Sequence, residues 1–329
     1  MIRPSIHIAS ALALVALSLP LLQASAQQDV PAAPAAAPSS PAPTAAPTFP
    51  KPDPANFTAA SPTRAVVNAF VQTSWGYDDS RIWEVWAIKT TPAEGVSRVT
   101  VLVGDKSGKQ KPAVVEFYVL PDGKHIIAQN DILPFGEHPY AEYRALAQKR
   151  ADGPYRGSAM KDLEIVEFAD FQCPHCKDAQ ANMDKLAVDF PKARIVFQTF
   201  PLVSIHPQAA RSAAYGVCVT KQGGSDAFFI FAAAVFDGQE GLATEDGATL
   251  TLNSAVTKAG MDPAKIAECA ATPATVAAVD SLVKLAMDLN INATPTLLIN
   301  GRQVPANAPY DTLKQIILYQ AKLDSVAAK

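Results

Sequence analysis

Residues 167–176, Glu-Phe-Ala-Asp-Phe-Gln-Cys-Pro-His-Cys, decide the fold of the second half of this chain. A short apolar run at 163–168, of the length of a strand, leads into the two cysteines. After them, apolar residues recur at roughly helical spacing over 177–190. The sequence therefore predicts a strand followed by a helix, with Cys173 at the helix N-terminus and Cys176 one turn inside it.

A cysteine at a helix N-terminus faces unpaired backbone N–H groups and the positive end of the helix dipole. Both stabilise a thiolate, so the pKa of Cys173 is expected well below that of a free cysteine. Pro174 suits the first helical position, where no N–H is needed, and the imidazole of His175 is expected to interact with the same sulfur. A stabilised thiolate is a good leaving group, so a Cys173–Cys176 disulfide is predicted to be oxidising, with Cys176 as the resolving thiol.

Two other readings of Cys-x-x-Cys are a structural disulfide and half of a metal site. A structural bond here would close a very small loop and would constrain the unfolded chain little. A zinc site would need a second Cys-x-x-Cys or a His-x-x-x-His pair, and none lies nearby in the sequence. We therefore predict no metal and no cofactor.

The composition favours an exported protein of about two domains. The chain has 329 residues and a formal net charge of -3, without a basic block of the kind that binds nucleic acid. Arg3, the apolar run 6–19 and the small residues 24–26 are typical of a secretory signal peptide over residues 1–26. An uncleaved membrane anchor is the alternative, but the run is shorter than the roughly 20 residues of a spanning helix. We expect cleavage after Ala26 and a periplasmic or other extracytoplasmic location.

Three further regions follow the predicted signal peptide. Residues 27–62 are rich in Ala, Pro and Thr and are predicted to be a disordered linker. Residues 63–150 contain all three tryptophans and several alternating runs, which predict a small α+β domain with an antiparallel sheet. This domain is expected to be structural or dimerising.

Residues 151–329 alternate strands and helices around a helix-rich stretch at about 206–289. The run at 194–200 predicts a second strand, parallel to the first. A strand at 297–300, a turn at Asn300-Gly301 and a final helix at 310–323 follow. Together they predict an α/β thioredoxin-like fold with a helical insertion.

Two features outside residues 167–176 also concern the cysteine chemistry: a proline late in the chain and the pairing of the four cysteines. Thr294-Pro295 directly precedes a predicted strand, a position where a cis proline fixes a tight bend. The four cysteines permit disulfides in an exported chain and allow three connectivities. Cys173 and Cys176 are close enough to pair locally, which leaves Cys218 with Cys269.

Three segments carry a resemblance to a known family: FADFQCPHC, FPLVSIHPQA and NATPTLLINGR. In this order, with the helical insertion, they resemble the DsbA-like thiol-disulfide oxidoreductases from about Leu163 to the C-terminus. The resemblance implies a nucleophilic Cys173, a buried partner Cys176 and a strongly oxidising Pro174-His175 dipeptide.

The same resemblance implies roles for residues away from the motif. Pro295 matches the cis proline that faces the disulfide, and Glu167 matches an acidic residue beneath the site that assists proton transfer. A surface carboxylate is the alternative for Glu167. Thr294 resembles the wider family and the isomerases more than the Val found in enterobacterial DsbA. Cys218 and Cys269 match a structural disulfide that many relatives carry in the insertion.

We expect an exported oxidase that passes its disulfide to reduced secreted proteins, and the family implies reoxidation by a membrane quinone-linked oxidase of DsbB type. The alternatives are a dimeric isomerase or reductase, a copper-binding chaperone using Cys173, His175 and Cys176, and a structural, surface-tethered module. The small domain loosely resembles the dimerising domains of DsbC and DsbG, so a homodimer through residues 63–150 is one expectation. His206 is expected to begin a helix, a catalytic role being the weaker alternative.

Overall fold

The computed structural model describes residues 49–108 and 111–328. The predicted signal peptide and residues 27–48 of the predicted linker lie outside the described residues. Within those ranges, no single helix has both the length and the apolar composition to cross a membrane; taken together, the bent pair Pro263–Ala270 and Pro273–Asp288 meets the two criteria.

The helices and strands fall close to the positions that the sequence predicts. In chain order they are α1 (Arg64–Trp75), β1 (Arg81–Thr90), β2 (Ser97–Asp105), β3 (Ala113–Val119), β4 (His125–Ala128), β5 (Asp131–Pro134), α2 (Ala141–Arg150), β6 (Tyr155–Gly157), β7 (Glu164–Ala169), α3 (Pro174–Asp189), β8 (Arg194–Thr199), α4 (Ala209–Asp237), α5 (Glu245–Lys258), α6 (Pro263–Ala270), α7 (Pro273–Asp288), β9 (Thr296–Ile299), β10 (Arg302–Pro305) and α8 (Tyr310–Leu323).

The first sheet is the predicted antiparallel one, with the strand order β1-β2-β3-β4-β5. Helix α1 begins after Thr63, whose hydroxyl caps the helix by accepting from the N–H of Val66 at 3.3 Å. Val67 and Val71 of this helix are fully buried in the core of the sheet. Alternation along the strands places one set of side chains in this core, among them Val85, Val99, Val101 and Val119.

The end of the predicted linker is folded rather than disordered, and the boundary at residue 62 is wrong in this respect. Pro54–Asn56 form a 3₁₀ turn capped by Asp53. Phe57 packs against the core of the first sheet, and the N–H groups of Thr58 and Ala59 donate to the carbonyl of Ile88 at 3.0 and 3.2 Å. One aromatic side chain and two backbone hydrogen bonds thus attach a segment that its composition assigns to the linker.

The second sheet has the order β10-β9-β7-β8-β6, with β7 parallel to β8 as predicted and antiparallel to β9. Every residue of β7 and β8 is buried because helices cover both faces. One core lies under α3 and α8, with Met183 and Leu313 at its centre. The other lies under α2 and α7 and contains Phe168 and Leu285.

The helical insertion consists of α4 to α7 and agrees with the predicted stretch of about 206–289. Gly224 has φ 73° and ψ -168°, a backbone conformation that glycine adopts without strain, and interrupts α4. Phe171 follows β7 within residues 167–176, here called the redox motif; its ring stacks on Phe197 and meets Phe231 of the insertion edge to face. The aromatic core of the insertion therefore extends to the segment that carries the cysteines.

Candidate active site

The two cysteines lie at the start of α3, where the chain leaves the central strand β7. Cys173 is the N-cap residue and Pro174 is the first residue of the helix. The carbonyl of Cys173 accepts from the N–H groups of Cys176 and Lys177 at 3.1 and 3.3 Å, which closes the first helical turn. Both side chains are buried free thiols in this structure.

Cys173 has the properties of a reactive thiol. Hydrogen bonding from the Cys176 thiol, with smaller contributions from Thr294 and the backbone N–H groups of Cys176 and His175, lowers the pKa of Cys173 to about 5 against the opposing effect of burial. Burial, by contrast, raises the pKa of Cys176 well above that of a free cysteine. The pair therefore divides into a stable thiolate and a protonated partner that donates to it.

His175 does not take the position that the sequence predicts for its ring. The side chain is 72% exposed, and its Nδ1 lies 3.9 Å from Oδ2 of Asp178, one turn further along α3. The backbone N–H of His175, rather than its imidazole, makes a small contribution to lowering the pKa of Cys173. A helix N-terminus supplies that donor whatever the side chain.

Thr294 and Pro295 stand opposite Cys173, although more than 100 residues separate them in the sequence. The peptide bond between them is cis. The Cys173 Sγ lies 3.7 Å from the carbonyl oxygen of Thr294. Strand β9, directly after Pro295, pairs with β7, directly before the cysteines, and this pairing brings the two segments together.

Glu167 is buried beneath the site, so the alternative of a surface carboxylate is wrong. Its Oε1 accepts from Nε2 of Gln180 at 2.8 Å, and the same amide nitrogen donates to the Cys176 carbonyl at 3.1 Å. Burial raises the pKa of Glu167 to about 7, and the hydrogen bond from Gln180 only partly opposes this. Gln180 is a linking residue that the sequence did not single out.

The insertion holds the cysteine turn through a second amide. Nε2 of Gln239 donates to the carbonyls of Phe171 and Cys173 at 2.8 and 2.9 Å. In the other direction, Nε2 of Gln172 donates to the Leu242 carbonyl at 3.0 Å. These neutral contacts lie between segments about 70 residues apart, and no sequence pattern marks them.

Asp170 is the other residue that sequence reasoning missed. It is fully buried at the end of β7, and its carboxylate accepts from the N–H of Gln172, the N–H of Leu202 and Nδ1 of His206, each at 2.8 Å. His206 precedes α4, which begins at Ala209, so the prediction that it begins a helix is wrong. Its imidazole instead makes a hydrogen bond to Asp170 in the redox motif.

Cys218 and Cys269 lie away from this site and are joined by a disulfide between α4 and α6. Cys218 is fully buried in the core of the insertion. Among the described residues, no three His, Cys, Asp or Glu side chains are grouped so that they could hold a metal ion.

Comparison with known proteins agrees with this geometry. A model of the thioredoxin family matches residues 149–318, about half of the chain. The chain belongs to the thioredoxin family. The fold is the thioredoxin-like α/β arrangement with a helical insertion that the sequence predicts.

Two curated proteins are each similar to about half of this chain. The Na(+)/H(+) antiporter NhaA 3 of Salinispora tropica is 28% identical over 156 residues, which are 47% of this chain and 22% of the antiporter. The chain thus spans about a fifth of that relative's length. Disulfide bond formation protein D of Bacillus subtilis is 27% identical over 173 residues, which are 51% of this chain and 77% of that protein.

Solved structures of similar fold include oxidised BdbD from Bacillus subtilis, with 24% identity and a TM-score of 0.47, covering 52% of this chain and 93% of BdbD. A second is ScsC from Proteus mirabilis in a transitional conformation, with 20% identity and a TM-score of 0.45, covering 55% of this chain and 78% of ScsC.

Proposed function

We propose that this protein is an exported thiol-disulfide oxidoreductase that donates the Cys173–Cys176 disulfide to folding secreted proteins. The observation that carries the proposal is the division of the pair into a thiolate at the N-cap of α3, with a pKa of about 5, and a buried partner thiol. A thiolate this stable is a good leaving group, which favours transfer of the disulfide to a substrate.

The proposed reaction has two thiol–disulfide exchange steps. A substrate thiolate attacks Cys173 Sγ, the Cys173–Cys176 bond breaks, and Cys176 leaves as a thiolate that takes up a proton. A second substrate thiolate then attacks the substrate sulfur of the mixed disulfide and expels the Cys173 thiolate. The substrate loses two electrons, and the protein gains them as a dithiol.

Residues around the two cysteines have further roles in this proposed reaction. We propose that Glu167, whose pKa burial raises to about 7, exchanges a proton with Cys176; its contact with Gln180, which in turn donates to the Cys176 carbonyl, supports this role. Thr294 and Pro295 form the wall against which the substrate chain lies. The relative in Bacillus subtilis is named a disulfide bond formation protein, which is consistent with this chemistry.

We further propose that the protein acts in the periplasm or another extracytoplasmic space after residues 1–26 are removed. A membrane quinone-linked oxidase of DsbB type would then reoxidise the Cys173–Cys176 pair.

The test is oxidation of a reduced, unfolded secreted protein by the oxidised chain from residue 27 onward. We expect stoichiometric transfer of one disulfide by the wild type and none by Cys173→Ser. Cys176→Ser, in its reduced form, should trap a mixed disulfide on Cys173 when it is given an oxidised substrate. Oxidation of substrate by Cys173→Ser at the wild-type rate would overturn the proposal.

A dimeric isomerase is the second candidate, favoured by the outer face of the first sheet. Tyr118, Ile127 and Ile132 are opposite one another across β3, β4 and β5 and are 41%, 39% and 52% exposed. We propose that the small domain, residues 63–150, dimerises through this face, with residues 151–329 as the redox domain. Sedimentation equilibrium should give a dimer that Ile132→Asp dissociates; a monomeric wild type would remove this candidate.

A further inference from the structure

Every polar group of Asp170 makes a hydrogen bond. The partners lie either in the redox motif or in the loop between β8 and α4. Its carbonyl accepts from the N–H of Cys173 at 3.1 Å. Its own N–H donates to Cys176 Sγ at 3.4 Å. The residue thus contacts both cysteines through its backbone while its carboxylate faces the other way.

The carboxylate is fixed from the loop between β8 and α4. Leu202 and His206 both donate to Oδ2, at 2.8 Å each, and the N–H of His206 in turn donates to the Leu202 carbonyl at 2.9 Å. A third contact joins the loop region to the motif, because the N–H of Gln208 donates to Oε1 of Gln172 at 2.8 Å. The loop is therefore attached to the motif at several points, with Asp170 at the centre.

A fully buried carboxylate is expensive unless hydrogen bonds satisfy it. Here two backbone amides and one imidazole do so, and the imidazole is the one donor of the three that belongs to a side chain. The side chain of His206 is 16% exposed, so its ring is nearly enclosed as well. Loss of that donor would leave the carboxylate short of a partner and free the end of β7 to shift.

We propose that Asp170 and His206 are positioning residues of the redox site, which hold the Asp170 N–H against Cys176 Sγ and so set how readily Cys176 leaves or attacks. This inference rests on the proposed oxidoreductase function. The N–H of Asp170 is one of the few groups that counteract the effect of burial on the pKa of Cys176. When the disulfide is attacked at Cys173, the departing Cys176 sulfur gains negative charge, and an N–H fixed 3.4 Å away stabilises it.

The test compares His206→Phe, which keeps a ring but removes the donor, with His206→Asn, whose amide nitrogen can replace Nδ1. We measure by stopped-flow the rate at which a small monothiol reduces the Cys173–Cys176 disulfide. His206→Phe should slow this step about tenfold, the scale of one hydrogen bond to a charged group. His206→Asn should recover the rate to within about threefold. A matched control is His125→Phe, since His125 Nδ1 makes a 2.6 Å contact with Asp122 in the first sheet, and it should leave the rate unchanged.

The melting temperature of each variant separates positioning from folding. If His206→Phe lowers the melting temperature but reduces at the wild-type rate, the pair is only structural and the inference is wrong. If His206→Phe and His206→Asn are equally slow, the donor is not what matters, and the inference is again wrong. A wild-type protein that cannot form or exchange the Cys173–Cys176 disulfide would instead refute the proposed function itself.

Discussion

The pKa of Cys173 is low because the Cys176 thiol and the backbone N–H groups at the N-terminus of α3 donate hydrogen bonds to its sulfur. We predict that the thiolate absorbance of the reduced protein rises with a midpoint near pH 5. Because the pKa is lowered by folding, the thiolate stabilises the reduced protein fully above the unfolded pKa, and this stabilisation is lost as the pH falls through about 5. Cys173→Ser should show no absorbance change below pH 8; a wild-type midpoint near 8.5, that of a free cysteine, would contradict the prediction.

The pKa of Glu167 shifts in the direction opposite to that of Cys173, since burial raises it from 4.5 to about 7. Its ionisation therefore costs stability, and the cost grows as the pH rises from the unfolded pKa through the folded one. Glu167→Gln keeps an acceptor for Gln180 and removes the charge. We predict that it raises the free energy of unfolding in urea on the order of 1–3 kcal/mol at pH 8 and changes it little at pH 4.5. An equal effect at both pH values would show that the charge is not responsible.

Among the individual site residues, the sequence could predict those whose position depends only on their near neighbours in the chain. The N-cap position of Cys173 followed from a strand, a Cys-x-x-Cys and a helical period in immediate succession. The partnership of Asp170 with His206 could not be predicted in this way, because the two residues are 36 positions apart in the sequence. Only the parallel pairing of β7 with β8 brings the two loops together.

Among the elements, the helical insertion depends on a disulfide that closes a long loop. Cys218 and Cys269 are 51 residues apart. We predict that replacing both by Ala lowers the free energy of unfolding by about 3–4 kcal/mol in the chain-entropy description. The pKa of Cys173 should not change, because the bond lies outside the redox site. A loss below about 1 kcal/mol, measured by urea unfolding, would contradict this assignment.

Strong periodicity made most elements predictable, and its absence explains those that were missed. The predicted strand at 194–200 agrees with β8 within a residue, and the predicted final helix at 310–323 matches α8. The sequence did not indicate β5, which has four residues and ends in Pro134, or β6, which has three. Such short strands show no alternation of their own and are defined by the neighbour with which they pair.

At the scale of the whole molecule, Arg302 links the first sheet's helix to the redox domain. Its guanidinium donates to the carbonyls of Thr73 and Ser74 at the end of α1 and to Gln320 of α8. Arg302→Met keeps the apolar stem but leaves these carbonyls without a donor. We predict a loss of about 2–3 kcal/mol in unfolding free energy and faster amide exchange in α1.

The matched control for Arg302 is Arg98→Met, because Arg98 is exposed on β2. A surface substitution of this kind should change the stability by less than about 0.5 kcal/mol. Equal effects of the two substitutions would show that Arg302 does not hold α1 against the redox domain.

The redox equilibrium of Cys173 and Cys176 with glutathione tests the central claim most directly. The reduced form should predominate even when glutathione is mostly oxidised, because the Cys173 thiolate and its hydrogen bonds stabilise the dithiol state. We predict a reduction potential of about -120 to -180 mV, in the range of strongly oxidising members of this fold. A value of about -270 mV, typical of thioredoxin, would contradict the account of this protein as a disulfide donor.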